Sequence, residues 1–151
     1  MSLPPIINSD QTKISLETRN VFIEVTGTDL YRCQTSLAIL AAQFSQYCDV
    51  DSKFTIEQVK VTYEDDATKS GMTPEMKYLD FDVEIDHINR LLGIQIDKQK
   101  VAECAIKMGL RVLDESTEQR VKVRVNPTRS DILHACDVVE DIGIGYGFNN
   151  I

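Results

Sequence analysis

The order of residue patterns predicts an α+β chain with an incomplete strand–helix–strand segment over residues 1–76 and a compact unit over residues 77–151. The second unit is predicted to hold two helices, a β-hairpin and a third helix. Three observations lead there. RVKVRV at 120–125 alternates perfectly, which sends Val121, Val123 and Val125 to one face and Arg120, Lys122 and Arg124 to the other. Paired start and stop signals, Asp97 with Gly109 and a helical pattern closed by Gly93, bracket two helices. Between the halves, EDDATKSGMTPEM at 64–76 combines acidic residues, Ser-Gly and a proline with few large apolar side chains, the composition of a linker.

In chain order, residues 3–8, LPPIIN, read as extended, because proline disfavours helix in the residue before it. Ser9 to Thr12 make a polar turn. Ile14, Leu16, Val21, Ile23 and Val25 alternate around Glu17-Thr18-Arg19-Asn20, predicting two strands and a turn. Thr28 or Asp29 caps a helix from about Leu30 to Tyr47, with Leu37, Leu40, Ala41 and Phe44 as its apolar stripe. Phe54, Ile56, Val59, Val61 and Tyr63 suggest a further strand, bulged near Gln58. So few elements supply too small a core for a complete domain.

In the second half, Leu79, Phe81 and Val83 alternate with Asp80 and Asp82 as a strand. Ile88, Leu91 and Leu92 belong to a brief helix, and Val101, Ala105 and Met108 to the buried stripe of the next. Val112-Leu113, the turn at 114–118 and RVKVRV form the hairpin. These elements together resemble a winged helix.

The stretch NPTRSDILHACDVVEDIGIGYGFNNI closes the chain. Thr128-Arg129-Ser130-Asp131 offers helix caps, and Ile132, Leu133, Val138, Val139, Ile142 and Ile144 form the apolar run. Asp131, Asp137, Glu140 and Asp141 place four carboxylates within eleven positions. At about 100° per residue the last three share one helix face, with Asp131 at the mouth of the helix. Magnesium takes oxygen ligands, so this spacing permits a metal site without requiring one. Caps and a solvated acidic face account for the same residues.

Composition narrows the function. The chain has 151 residues, 42% hydrophobic and 26% charged, as in ordinary globular proteins. Its net charge of -8 argues against nonspecific nucleic-acid binding as its main work. The one basic stripe is Arg120, Lys122, Arg124 and Arg129, with no acid between Gln119 and Ser130. On its exposed hairpin face Arg120, Lys122 and Arg124 are candidate RNA contacts, with a solvated strand face as the alternative. Cys33, Cys48, Cys104 and Cys136 contain no CxxC pair and, with only His87 and His134, do not suggest zinc. Cys104 and Cys136 read as reduced core thiols, and His134 as a first-turn residue. No phosphate loop, GxSxG elbow or membrane-length apolar run occurs, and MSLPPIINSDQTK lacks the features of a signal peptide, so the cytoplasm is expected.

PTRSDILHACDVVEDIGIGYGFNNI resembles the end of the fifth (B-five) domain of the phenylalanyl-tRNA synthetase beta-subunit family. The matching residues are Pro127, Thr128, Arg129, Asp131, Asp137, Glu140, Asp141, Tyr146, Gly147, Phe148, Asn149 and Ile151. The INRLLG…MG spacing is present at 88–93 and 108–109. Pro-Pro-Ile-Ile-Asn-Ser at 4–9 resembles the end of the preceding third-and-fourth domain, of the eukaryotic and archaeal type. The resemblance implies a fragment: residues 1–76 from the end of that domain, which can house editing of mischarged tRNA, and 77–151 as the B-five domain. Met1-Ser2 would then be an expression scar. No editing residues are assigned.

The same resemblance assigns Asp131, Asp137, Glu140 and Asp141 to a magnesium ion shared with the alpha subunit. It implies an alpha-two beta-two enzyme that joins phenylalanine to tRNA with ATP. The alpha subunit supplies the chemistry, so no catalytic or ATP-binding residue is expected in this chain. Arg129 reads as a partner of nearby carboxylates or a turn-fixing residue. A free-standing winged-helix module binding DNA or RNA is the alternative function.

Overall fold

The computed structural model describes residues 3–49, 51 and 53–151, and the expectation for Met1-Ser2 lies outside them. The chain divides into two compact units, Met1–Pro74 and Glu75–Ile151.

In the first unit, α1 spans Leu30–Ser45, and the Asp29 side chain accepts a hydrogen bond from the Arg32 amide as its N-cap. The buried stripe of α1 differs from the one expected. Ala38, Ala41 and Ser45 are buried, whereas Leu40 and Phe44 are exposed. Strands β1, Val59–Val61, and β2, Gly71–Thr73, pair antiparallel, with Val59 opposite Thr73. The expected linker therefore carries half of a hairpin. A short 3-10 turn at Ala67–Lys69, capped by Asp66, reverses the chain between the two strands.

Two further expectations fail here. Residues 3–8 turn rather than extend, because the amides of Ile6 and Ile7 both return to the Leu3 carbonyl. The strands expected around Ile14–Leu16 and Val21–Val25 do not form. A strand is held by hydrogen bonds to a neighbour, and among the described residues this segment has none in a ladder. Leu16, at 97% exposure, buries almost nothing.

The second unit follows its expected order closely. Strand β3, Leu79–Glu84, leads directly into α2, Ile85–Leu92, which stops at Gly93 with φ 68°, a left-handed conformation suited to glycine. Helix α3, Lys98–Lys107, is capped by Asp97 and ends before Gly109, φ 77°. Strands β4, Arg111–Val112, and β5, Arg120–Val125, complete a three-stranded antiparallel sheet in the order β3-β5-β4. The wing between β4 and β5 is tied by Ser116, whose hydroxyl donates to the Leu113 carbonyl and accepts from the Lys122 amide. Helix α4, Ala135–Tyr146, closes the unit. The winged-helix-like arrangement is thus an α+β fold with all three helices and the sheet sharing one core.

That core takes Val121, Val123 and Val125 from β5, Ile88 from α2, Val101 and Cys104 from α3, and Val138 and Ile142 from α4. Met108, expected in the buried stripe of α3, is only half-buried. Cys104 is buried and its thiol is pushed up by desolvation, which keeps it neutral. Cys136, expected in the core, is exposed, because α4 begins only at Ala135 and turns this first-turn position outward.

The approach of α4 to α3 depends on Gly145. A Cβ there would lie 2.5 Å from the carbonyl oxygen of Cys104. Alanine favours a helix interior by about 1 kcal/mol over glycine, but overpacking against rigid backbone typically costs about 1–3 kcal/mol. Gly145→Ala is therefore expected to destabilise the second unit despite its better helix propensity, measured by chemical denaturation of the chain. A gain in stability would show that the two helices separate without cost.

Candidate functional site

Helix α4 starts later than its apolar run suggested. His134 is the N-cap, so Ile132 and Leu133 precede the helix and Asp131 sits in the turn before it rather than at its mouth. Ile132 is nevertheless buried, anchoring the incoming turn in the core. The turn itself closes where the Arg129 amide donates to the Asn126 carbonyl.

The four candidate carboxylates have separate employments. Asp137 occupies the third position of α4, where its Oδ2 accepts from the amides of Leu133 and His134, both at 2.8 Å. Those bonds satisfy donors at the helix start and hold the carboxyl below its ordinary range. Asp141 faces inward at 5% exposure and Glu140 faces solvent. Asp141 thus departs from the solvated acidic face that the sequence suggests, because α4 packs that side against the turn carrying Arg129, and Asp137 is half-buried.

Arg129 gathers what the spacing alone could not. Its Nη2 lies 2.7 Å from Asp131 Oδ2 and 3.0 and 2.9 Å from the two oxygens of Asp141. Its Nε donates to Asp131 at 2.9 and 3.2 Å, and Nη1 donates to the Met108 carbonyl at 3.0 Å. Hydrogen bonds from Arg129 hold the Asp131 carboxyl below its ordinary range. The same bonds, first to Asp131 and then to Asp141, push the guanidinium above its own. Among the described residues no group of three or more His, Cys, Asp or Glu side chains is placed to hold a metal ion. The magnesium ligand set implied by resemblance does not fit this arrangement: two members share one arginine and a third accepts amides at a helix start.

The basic strand also has partners. The β3–β5 register sets Asp80 opposite Arg124, Asp82 opposite Lys122 and Glu84 opposite Arg120. Arg124 makes a two-pronged pair with Asp80 at 2.7 and 2.8 Å, and Arg120 reaches Glu84 at 2.6 Å and Asp82 at 3.3 Å. Arg124 also lies over the Tyr78 ring, 6.0 Å from its centroid. Two of the three bases on the expected basic face, Arg120 and Arg124, are thus ion-paired, and Lys122 and Arg124 are half-buried. The acids of β3 were visible in the sequence, and the strand pairing that would have matched them to β5 was not.

Sequence reasoning also passed over Asn89. Its side-chain amide donates to the Ile96 carbonyl and accepts from the Ile96 amide, each at 3.0 Å, clasping the α2–α3 connection. An asparagine inside a helical pattern followed by a short loop is the signal that could have found it.

The family model described as the tRNA synthetase B5 domain matches residues 81–148, the stretch that holds the helices, the wing and the acidic closing helix. The wider chain matches the phenylalanine–tRNA ligase beta-subunit family. It is 42% identical over 150 residues to the Caenorhabditis elegans phenylalanine–tRNA ligase beta subunit, covering 99% of this chain and 25% of that protein. It is 41% identical over 151 residues to the Saccharomyces cerevisiae beta subunit, with 99% and 25% covered. The Arabidopsis thaliana protein, named as the cytoplasmic beta subunit, is 41% identical over 154 residues, with 100% and 25% covered. A crystal structure of an N-terminal fragment of the Pyrococcus horikoshii phenylalanyl-tRNA synthetase beta subunit superposes with TM-score 0.63 at 28% identity, covering 79% of this chain and 31% of that one. The chain thus spans about a quarter of the length of its curated relatives.

The charge network carries a pH dependence. Asp131, Asp137, Asp80 and Glu84 all have folded-state pKa values lowered from the ordinary carboxylate range. A lowered folded pKa stabilises fully above the unfolded value, near pH 4, and that contribution is lost as pH falls through the folded one. The thermal midpoint, followed by circular dichroism, is expected to drop as pH falls below about 5. Asp137→Asn should shrink that drop, and an unchanged pH profile in this variant would remove Asp137 from the account.

Proposed function

We propose that this chain serves as a structural and subunit-contact module of the beta subunit of a cytoplasmic phenylalanine–tRNA ligase. The complete enzyme would join phenylalanine to its tRNA with ATP in an alpha-two beta-two assembly, with the alpha subunit performing the chemistry. The observation that carries this reading is 42% identity to a phenylalanine–tRNA ligase beta subunit maintained over 99% of the chain. The first unit corresponds, in this reading, to the end of the third-and-fourth domain, and the second to the B5 domain.

The surface of the second unit supports a contact role. Leu133, Ile144, Phe148 and Ile151 are each exposed around α4 and the 3-10 turn Phe148–Asn150 that follows it. Several large apolar side chains outside a core are what a subunit interface uses. The alternative of a free-standing nucleic-acid module is less well supported, because the arginines it would use, Arg120 and Arg124, are paired with Asp82, Glu84 and Asp80. Asp131 and Asp141 meet through Arg129, Asp137 is held by the amides of Leu133 and His134, and Glu140 faces solvent.

The purified chain, with the alpha subunit rigorously excluded, is expected to form no phenylalanyl-tRNA. Ile144→Ser with Leu133→Ser, placed in a full-length beta subunit, should weaken its capture of the alpha subunit by roughly tenfold, a loss of about 1.4 kcal/mol. Aminoacylation by the chain alone would overturn the non-catalytic role. Undiminished capture would move the contact surface elsewhere.

A further inference from the structure

We propose that Arg129 is the resident cation of the acidic cluster, a positioning residue that joins Asp131 and Asp141 to the end of α3 and keeps divalent ions off both carboxylates. This inference rests on geometry within the second unit and does not depend on the ligase reading.

Every oxygen of the two carboxylates receives an N–H from this one side chain. Nε reaches Asp131 Oδ1, Nε and Nη2 reach Asp131 Oδ2, and Nη2 reaches both oxygens of Asp141. The remaining arm, Nη1, bonds the Met108 carbonyl just past α3. A guanidinium is a planar fork that keeps its proton at any physiological pH, so its positive charge between the two carboxylates is permanent. Asp137 is no freer: its Oδ2 is held by two backbone amides, and the Cys136 thiol lies 3.6 Å from its Oδ1. Only Glu140 stands outside the network, pointing to solvent.

At Asp141, whose side chain is enclosed, a divalent ion would have to replace Arg129, not join it. Asp141 is buried, so its charge needs a partner at every moment of that exchange. Magnesium holds its waters tightly and favours octahedral oxygen ligands at about 2.1 Å, which the paired carboxylates do not present. The exchange would also release the Met108 carbonyl from its donor. The family-implied ligand set and the arginine between its members are thus competitors for the same oxygens.

The test is magnesium titration of the full 151-residue chain, reading the carboxylate carbon shifts of Asp131, Asp141 and Glu140 together with the Arg129 Nε–H signal. In the unsubstituted chain, Asp131, Asp141 and Arg129 should not move, and Glu140 should shift weakly without saturating. In Arg129→Gln, Asp131 and Asp141 should shift saturably, with affinity for magnesium at least about tenfold above that of the unsubstituted chain, about 1.4 kcal/mol. Arg129→Lys, which keeps the charge but loses the fork, should fall between the two. If Arg129→Gln fails to fold, the unsubstituted chain and Arg129→Lys still decide. Saturable shifts at both Asp131 and Asp141 with an undisturbed Arg129 signal would overturn the proposal, as would a folded Arg129→Gln chain that binds magnesium no more tightly.

Discussion

One guanidinium holds together the part of this chain that its sequence makes most distinctive. Arg129 ties the turn before α4, the inward face of α4 and the Met108 carbonyl just past α3 through a single planar group. Those three pieces come from positions up to 33 residues apart between Met108 and Asp141. The buried end of the network, Asp141, is tolerable only because its partner is charged and geometrically matched to it. Close packing of α4 on α3 at Gly145 and the arginine bridge are mutually supporting: the first brings the helices near enough, and the second fixes the turn that feeds α4 into the core.

The second unit was legible in the sequence because its signals are local. Asp97 and Gly109 bracket α3, Gly93 closes α2, and alternation in β5 names its buried valines, each by a rule spanning a few residues. The first unit was less so. Residues 14–25 have the alternation of strands, but a strand is a pairwise object, and alternation does not reveal whether a partner is within reach. Conversely, Gly71–Thr73 pairs with β1 from inside a stretch whose composition reads as linker. Local pattern is weakest where the stabilising contacts are long-range.

The candidate site shows the same division. Helical periodicity placed Asp137, Glu140 and Asp141 on neighbouring positions correctly, yet it did not separate a cap, a solvated acid and a buried ion-pair member. That separation depends on where the helix begins. Starting at Ala135 makes Asp137 a first-turn acceptor and releases Asp131 into the preceding turn. Proximity in sequence makes Arg129 a partner of nearby carboxylates or a turn-fixing residue, but its reach across twelve residues to Asp141 belongs to the tertiary structure.

The facing rows of charge on β3 and β5 carry a consequence for how this sheet is assembled. Three acids lie along β3 and three bases along β5, so all three face a base together only in the native alignment. A shift by one residue would set carboxylates against the valine row, and a shift by two would leave a charge at each end without its mate. What looks in isolation like a strip of bases also favours one register of the sheet. Neutralising either row alone would leave the other as an uncompensated stripe, acidic or basic, on the surface. The sign of this face is thus set by a balance between two segments about forty residues apart in sequence, and a change in either could recast what the domain attracts.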